Sequence, residues 1–250
     1  IVGFEALMRW QKSNDTLVPP SKFIPYLEES GLIIPVSKKV ISAALKQLSE
    51  WITQGKVNDQ TVMAINLSPK QFRDPDLVNY IVKCIKNNGL RGENVTLEIT
   101  ETTLLQDSQE VNSVLEELAT YGIKIALDDF GTGFSSLAIL ATLPVDVLKI
   151  DKMFVNEATS SVKYRKILKS IIDMSHQLEL KIVAEGIEDI IQLELLKSLG
   201  VKHIQGFLIS PPESPTNVGS KVLNQGMSHL ANNGAGVWQP APSNVVNHIN

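Results

Sequence analysis

The chain has 250 residues, of which 43% are hydrophobic and 20% are charged, and its formal net charge is −4. This composition predicts a folded domain with a large core, and the length is typical of one (β/α)8 barrel. The negative charge argues against a broad basic surface for duplex nucleic acid, but it is compatible with a small anionic nucleotide held by metal ions. The single cysteine, Cys84, excludes a disulfide framework and a cysteine-based metal site, which favours a cytoplasmic setting.

The two ends of the chain carry separate expectations. The chain begins with Ile1 and shows neither a signal peptide nor an apolar run of the roughly 18 residues that span a bilayer. We therefore expect a piece of a longer protein, whose upstream part could include a membrane anchor. From Val222 to Asn250 there is no charged side chain, which predicts a domain at residues 1–220 and a disordered tail at 221–250.

Strand-like and helix-like segments alternate along the chain. Short runs rich in Ile, Val and Leu predict seven strands: Ile1–Leu7, Thr61–Asn66, Val95–Ile99, Ile123–Asp128, Val147–Ile150, Lys181–Ala184 and Lys202–Gln205. Helical periodicity lies between them, at Ser21–Glu29, Pro35–Gln54, Asp76–Asn87, Glu110–Tyr121, Ser135–Leu140, Tyr164–Leu178 and Asp189–Leu199. This order predicts a mostly parallel sheet. A closed barrel needs eight strands, so seven favour a barrel whose first strand lies upstream of Ile1, leaving two unpaired edges.

Polar side chains stand at or just after the ends of the predicted strands. They are Glu5, Asn66, Glu98, Asp128, Asp129, Lys149, Glu185 and Gln205. In a barrel of this type, catalytic groups lie at the carboxyl ends of the strands, so these side chains are expected to meet at one mouth. The neighbours Asp128 and Asp129 would ordinarily point apart, but a backbone turn helped by Gly131 could bring both to the mouth.

Five carboxylates and one carboxamide at one mouth would repel each other if no cation were bound. All-oxygen ligands without cysteine or histidine suit Mg²⁺ or Mn²⁺. A carboxylate such as Asp128, flanked by further acids, could bridge two ions about 3.5–4 Å apart, the spacing typical of two-metal phosphoryl hydrolysis. A single acid at the rim, seen alone, is more simply read as solvated surface or a helix cap.

Seven short motifs occur in order, each at a predicted strand end. They are EALMR from Glu5 to Arg9, NLS from Asn66 to Ser68, EITE from Glu98 to Glu101, DDFGTG from Asp128 to Gly133, KID from Lys149 to Asp151, EGIE from Glu185 to Glu188 and QGF from Gln205 to Phe207. On these motifs the chain resembles the EAL-domain cyclic di-GMP phosphodiesterases, over roughly Ile1 to Pro215. The resemblance implies a modified TIM barrel with an antiparallel first strand, and hydrolysis of cyclic di-GMP to linear pGpG.

The resemblance also implies a role for each motif residue. It makes Glu5, Asn66, Glu98, Asp128, Asp129 and Glu185 metal ligands for two Mg²⁺ or Mn²⁺ ions, with Glu5, Lys149 and Glu185 catalytic. It makes Arg9 and Gln205 substrate-binding residues, and Leu7 joins them because it shares the strand face of Glu5 and Arg9. Glu101 and Glu188 would support the ligands from behind, Glu101 by bracing the loop after Asp129. Glu188 could instead start the following helix.

Two other functional classes stay open. A non-catalytic cyclic di-GMP receptor of the same family would typically lack a metal ligand, and none is missing here. A protein-interaction module would use the barrel as a scaffold and need no divalent ion. The resemblance further implies a homodimer and an upstream sensor or GGDEF-type (diguanylate cyclase) domain in the native protein.

Overall fold

The computed structural model describes residues 1–12, 16–105, 108–131, 140 and 142–218. A seven-stranded parallel sheet has the order β1-β4-β5-β6-β7-β8-β9, and a separate two-stranded hairpin is formed by β2 and β3. The strands are β1 Gly3–Ala6, β2 Trp10–Gln11, β3 Leu17–Val18, β4 Val62–Asn66, β5 Val95–Thr100, β6 Lys124–Phe130, β7 Val147–Ile150, β8 Lys181–Ala184 and β9 His203–Ile204. The large sheet curls into a half-barrel, so the fold is a modified TIM barrel, as the sequence predicts.

The helices connect successive strands, as right-handed βαβ units require. They are α1 Pro20–Glu29, α2 Ile33–Thr53, α3 Leu77–Asn87, α4 Glu101–Leu105, α5 Ser108–Thr120, α6 Lys152–Ser160, α7 Val162–Gln177 and α8 Ile190–Ser198. Local sequence accounts for several starts. Pro20 stands at the first position of α1, where its missing N–H costs nothing. Asp189 and Gln192 form a reciprocal capping box at the start of α8.

The predicted elements compare closely with the observed ones, with a few differences. All seven predicted strands occur in the sheet, although β9 has only two residues and β6 continues to Phe130. Several observed elements were not predicted: the β2–β3 hairpin, the short helix α4, and two 3-10 helices at Pro69–Arg73 and Gly92–Asn94. The helix α6 was not predicted either, and Asp151 caps it by accepting a hydrogen bond from the Met153 amide. The helix predicted at Ser135–Leu140 falls almost entirely outside the described residues, as does the predicted tail at 221–250.

The strands divide their side chains between two environments. Outward-facing residues such as Phe4, Ile65 and Leu97 are buried under the helices, and the Phe4 ring lies 4.7 Å from the ring of Trp51 on α2. Inward-facing positions carry small residues, including Ala64 and Ala126, and they line a cavity of about 610 Å³ along the barrel interior. The strand pattern therefore places an apolar core outside the sheet and a lumen inside it.

The sheet has two edges within the described residues. There, β1 pairs with β4 alone and β9 pairs with β8 alone. At the carboxyl ends the two edge regions still meet through side chains, because Gln205 Nε2 donates a hydrogen bond of 2.5 Å to Glu5 Oε2. The described helices include none that is long and apolar enough to cross a membrane.

Candidate metal centre and active site

The polar residues at the carboxyl ends of the strands come together at one rim of the half-barrel. Strand register explains part of this, since Asn66 on β4 stands directly beside Glu98 on β5. Asn66 Nδ2 donates a 2.8 Å hydrogen bond to Glu5 Oε1 on β1, and Gln205 holds the other oxygen of the same carboxylate. We call the following residues the rim cluster: Glu5, Asn66, Glu98, Asp128, Asp129, Lys149, Glu185 and Gln205.

Lys149 lies at the centre of the rim cluster and is only 3% exposed. Its Nζ is 2.7 Å from Glu98 Oε1, 2.7 Å from Glu185 Oε1, 3.1 Å from Asp128 Oδ1 and 4.0 Å from Glu5 Oε2. One buried cation therefore faces four carboxylates from four different strand ends. A single positive charge cannot neutralise four negative ones, so the site keeps an excess of negative charge.

Asp128 and Asp129 reach the rim through an irregularity in β6. The β6–β7 pairing shifts register between Leu127 and Phe130, and Asp129 has a left-handed backbone with φ of 53°. The Asp129 amide donates to its neighbour's carboxylate, at 3.0 Å from Asp128 Oδ1. The sequence predicted a turn near Gly131, but the turn begins at Asp129 itself. A bulge of this kind re-aims side chains and is frequent beside active sites.

The acids of the rim cluster have opposite pKa shifts according to their partners. Burial alone would raise the pKa of Glu5, but attraction to Lys149 and hydrogen bonds from Gln205 and Asn66 outweigh it, and the pKa is lowered. Burial raises the pKa of Glu98 well above its ordinary value, and repulsion from Glu5 adds to this. Glu5 is thus held as a carboxylate, whereas Glu98 favours a proton unless another cation compensates it.

Glu185 and Asp129 lie at the more open side of the rim cluster. Burial raises the pKa of Glu185 to about 7, with repulsion from Asp128 adding to the rise and attraction to Lys149 opposing it. Burial, followed by repulsion from Asp128 and Asp151, raises the pKa of Asp129. Burial lowers the pKa of Lys149, but the surrounding acids outweigh burial and raise it well above the ordinary value, so the ammonium stays charged.

The donor atoms of the rim cluster fit hard divalent cations. Asp128, Asp129 and Glu185 each offer a carboxylate oxygen, and these oxygens lie within 4.8 Å of one another. Deeper in the rim, Glu98 Oε2 is buried and has no hydrogen-bond partner among the described residues. A buried carboxylate oxygen without a donor is costly, and a cation would satisfy it. The observed oxygen donors therefore fit a hard divalent cation.

The remaining predicted site residues lie around this cluster. Arg9 is half-buried, and burial lowers its pKa while attraction to the Glu5 carboxylate opposes this shift. Its Nη1 donates a hydrogen bond to the Met8 carbonyl at 3.0 Å. Leu7 follows β1 and is half-buried. Glu101 Oε1 accepts a 2.7 Å hydrogen bond from the Gly131 amide, just after Asp129. Glu188 is exposed, and the cap of the next helix is its neighbour Asp189.

Sequence reasoning missed two contacts of the described residues between β1 and α2, one that joins β2 to α1 and one that joins α1 to the residues after β4. Trp10 on β2 packs edge-on against Phe23 on α1, with ring centroids 6.0 Å apart. Ser68, at the end of the NLS motif, donates a 2.6 Å hydrogen bond to Glu28 on α1. The motif drew attention to Ser68, but no periodicity in the sequence identifies a partner 40 positions away.

Fold and site together define a TIM-barrel protein whose strand ends carry an oxygen-rich candidate centre for divalent cations. The family model described as EAL domain matches residues 1–212, and the chain belongs to the EAL domain family.

Named relatives agree with this assignment. The chain is 37% identical over 212 residues to the bifunctional diguanylate cyclase/cyclic di-GMP phosphodiesterase MucR of Pseudomonas aeruginosa, covering 85% of this chain and 31% of that protein. It is 33% identical over 210 residues to cyclic di-GMP phosphodiesterase PdeR of Escherichia coli, covering 84% of this chain and 31% of that protein. The chain thus spans about a third of the length of these two relatives.

A solved structure shows the same architecture. The PaMucR phosphodiesterase in complex with c-di-GMP has a TM-score of 0.79 and 37% sequence identity, and the match covers 84% of this chain and 85% of that one.

Proposed function

We propose that this chain is a metal-dependent phosphodiesterase that hydrolyses one phosphodiester bond of cyclic di-GMP and releases linear pGpG. The observation that carries the proposal is the rim cluster, in which carboxylates from several strand ends share one buried lysine. Such an excess of negative charge costs folding stability, and a phosphate diester could not approach it without cations. The names of the relatives MucR and PdeR supply the substrate class.

Two groups of rim residues would hold the ions. Glu5, Asn66, Glu98 and Asp128 would form the inner site, and Asp128, Asp129 and Glu185 the outer one. When bound, two Mg²⁺ or Mn²⁺ ions supply an activated water and charge neutralisation at the phosphoryl oxygens. Asp128 belongs to both groups, which is the arrangement that places two cations close together.

The protein groups have separate tasks in this reaction. Glu185 would serve the attacking water either as a general base or through the outer ion that it ligates; burial raises its pKa to about 7 in the metal-free site. Lys149 stays charged at the centre and orients the nucleophile by electrostatic attraction. Arg9 would bind a non-bridging phosphate oxygen, beside Leu7. Gln205 fixes the Glu5 carboxylate through its hydrogen bond.

We further propose the context in which the domain acts. The domain would comprise residues 1–220, with a strand from an upstream segment closing the gap between β1 and β9. It would work in the cytoplasm as a homodimer joined to an upstream sensor or diguanylate cyclase domain. The bifunctional diguanylate cyclase/cyclic di-GMP phosphodiesterase MucR supports such a combination. Size-exclusion chromatography with light scattering tests the dimer.

The decisive experiment is a product assay. The purified protein, incubated with cyclic di-GMP and Mg²⁺ or Mn²⁺, should release pGpG, and excess chelator should abolish release. Glu5→Ala should remove turnover, because its carboxylate lies between Asn66, Gln205 and Lys149. Binding of cyclic di-GMP without product in either ion would favour the receptor alternative instead. Turnover independent of divalent ions would refute the proposed chemistry.

A further inference from the structure

A hydrogen bond outside the rim cluster connects the last residue of the NLS motif to helix α1. Ser68 Oγ donates to Glu28 Oε1 at 2.6 Å, and both side chains are partly buried. A carboxylate can only accept, so Glu28 sets the direction of the Ser68 hydroxyl proton. The hydroxyl oxygen then remains free to accept from the Lys70 amide at 3.3 Å and cap the short 3-10 helix Pro69–Arg73. The contact is a short charge-assisted hydrogen bond of the stronger kind.

Helix stability alone does not explain a carboxylate at position 28. Glu28 lies in the last turn of α1, which contains no basic residue. The negative end of the helix dipole makes an acidic side chain there unfavourable. Glu29 occupies the same turn but is exposed. The two neighbours therefore bear the same electrostatic cost, but of the two only Glu28 has a hydrogen bond to the barrel within the described part of the chain.

The Ser68–Glu28 hydrogen bond connects the neighbourhoods of two residues to which the proposed function gives a role, Asn66 and Arg9. On the barrel side, Ser68 stands two residues after Asn66, and the intervening Leu67 amide donates to the Glu98 carbonyl at 2.8 Å. On the other side, α1 carries Phe23, whose ring packs on Trp10, the residue after Arg9. Besides the direct connection through the Asn66–Glu5 hydrogen bond, a second path from Asn66 to Arg9 thus runs through Ser68, Glu28 and α1.

We propose that Glu28 is a positioning residue: through Ser68 it holds α1 against the end of β4, and through the packing of α1 on Trp10 it sets the place of Arg9 relative to Asn66. The inference rests on the proposed function, because it assigns Arg9 to the substrate phosphate. Asn66 keeps its own hydrogen bond to Glu5 when Glu28 is removed. Loss of the contact should therefore weaken substrate binding more than it slows the chemical step.

The test compares Glu28→Ala, Ser68→Ala, the double variant and Glu28→Gln with the matched control Glu29→Ala. Each single alanine variant of the pair should raise KM for cyclic di-GMP by up to about tenfold, the value of one charge-assisted hydrogen bond, and change kcat by less than about threefold. The double variant should be no worse than either single one. Glu28→Gln keeps an acceptor and should recover most of the loss, while Glu29→Ala should match the wild type.

Amide hydrogen exchange of residues 7–12, measured without substrate, supplies a readout independent of turnover. Exchange there should accelerate in Glu28→Ala and Ser68→Ala and stay unchanged in Glu29→Ala. A lowered Tm with wild-type KM and unchanged exchange in this segment would overturn the proposal, as would additive effects in the double variant. If the wild type released no pGpG, the exchange result would still decide about Glu28, and only the proposed function would fail.

Discussion

The two ends of the half-barrel differ in how their charged side chains are balanced. At the amino ends of the strands, Lys124 pairs with Asp146 at 2.7 Å, and the second oxygen of Asp146 accepts from the Ile125 amide at 3.0 Å. At the carboxyl ends, Lys149 faces four carboxylates, and none of the residues that the structure describes donates a hydrogen bond to Glu98 Oε2. The first arrangement is balanced and partly exposed, whereas the second is buried and carries excess negative charge.

This difference distinguishes the Lys124–Asp146 pair, a structural contact, from the rim cluster, a candidate functional site. A balanced pair at a strand end stabilises the fold and needs nothing further. An unbalanced cluster lowers stability, and such sites persist where another ligand supplies the missing charge. Three predictions follow from the excess negative charge at the rim and the balanced charge at the opposite end.

The largest contrast is expected between Glu98→Gln and Asp146→Ala. Glu98→Gln should lower kcat at least about 100-fold, because it removes a proposed ligand, and it should leave Tm equal or higher, because it replaces a buried carboxyl whose charged form is disfavoured by burial and by Glu5. Asp146→Ala should leave kcat unchanged and cost about 1–3 kcal/mol, because Lys124 and the Ile125 amide lose their partner. Steady-state kinetics and urea unfolding measure the two effects. Equal losses of stability in both variants would remove the distinction between the two ends.

A pH dependence of stability is the next largest expected effect. The raised pKa of Glu185, about 7 in the folded protein, means that the folded state binds this proton more tightly than the unfolded state does. The stabilisation that this proton gives to the folded state is fully present below the ordinary pKa of about 4.5. It is lost as the pH rises through about 7, and the free energy of unfolding falls by at most about 3 kcal/mol. Glu98 and Asp129, whose pKa values are also raised, act in the same direction.

Unfolding free energies in chelator at pH 5 and pH 7.5 check this prediction. Stability should be lower at pH 7.5, and Mg²⁺ at about 100 times its Kd should restore roughly 2.7 kcal/mol there. The lowered pKa of Glu5 works oppositely, but its contribution is lost only as the pH falls below about 4.5. Burial lowers the pKa of His203, which therefore works oppositely in this window, so the same measurement on Glu185→Gln isolates the contribution of the rim. An unchanged pH dependence in Glu185→Gln would contradict the description of the rim cluster.

The smallest effect concerns Glu101, which supports the rim from behind. Glu101→Ala leaves the Gly131 amide without its 2.7 Å acceptor and should lower kcat by about tenfold through the displaced Asp129, the loss of one hydrogen bond of about 1.4 kcal/mol. Glu101→Gln keeps an acceptor and should retain most of the activity. Titration of Mn²⁺ in both variants checks the cause. Unaltered Mn²⁺ affinity in Glu101→Ala would show that the bond to Gly131 does not position Asp129.

Much of this site can be predicted from the sequence because parallel strands deliver their carboxyl ends to one edge. Glu5, Asn66 and Glu98 could be placed together from strand order and alternation alone. The half-barrel follows for the same reason, since short apolar runs alternate with helical periodicity.

Other features depend on tertiary structure and leave little trace in local sequence. The left-handed backbone of Asp129 is imposed by the register shift between β6 and β7, and no local propensity demands it in a non-glycine residue. The central place of Lys149 depends on side-chain reach across the lumen. The bond between Glu28 and Ser68 joins positions 40 apart, which a pattern of period 2 or 3.6 cannot identify.

The central claim, that oxygen ligands from separate strands share a pair of divalent cations, is tested most directly by anomalous diffraction from crystals grown with Mn²⁺. We expect two peaks, one among Glu5, Asn66, Glu98 and Asp128 and one among Asp128, Asp129 and Glu185. Crystals that show no manganese at either position, at concentrations where the protein turns over cyclic di-GMP, would contradict the account.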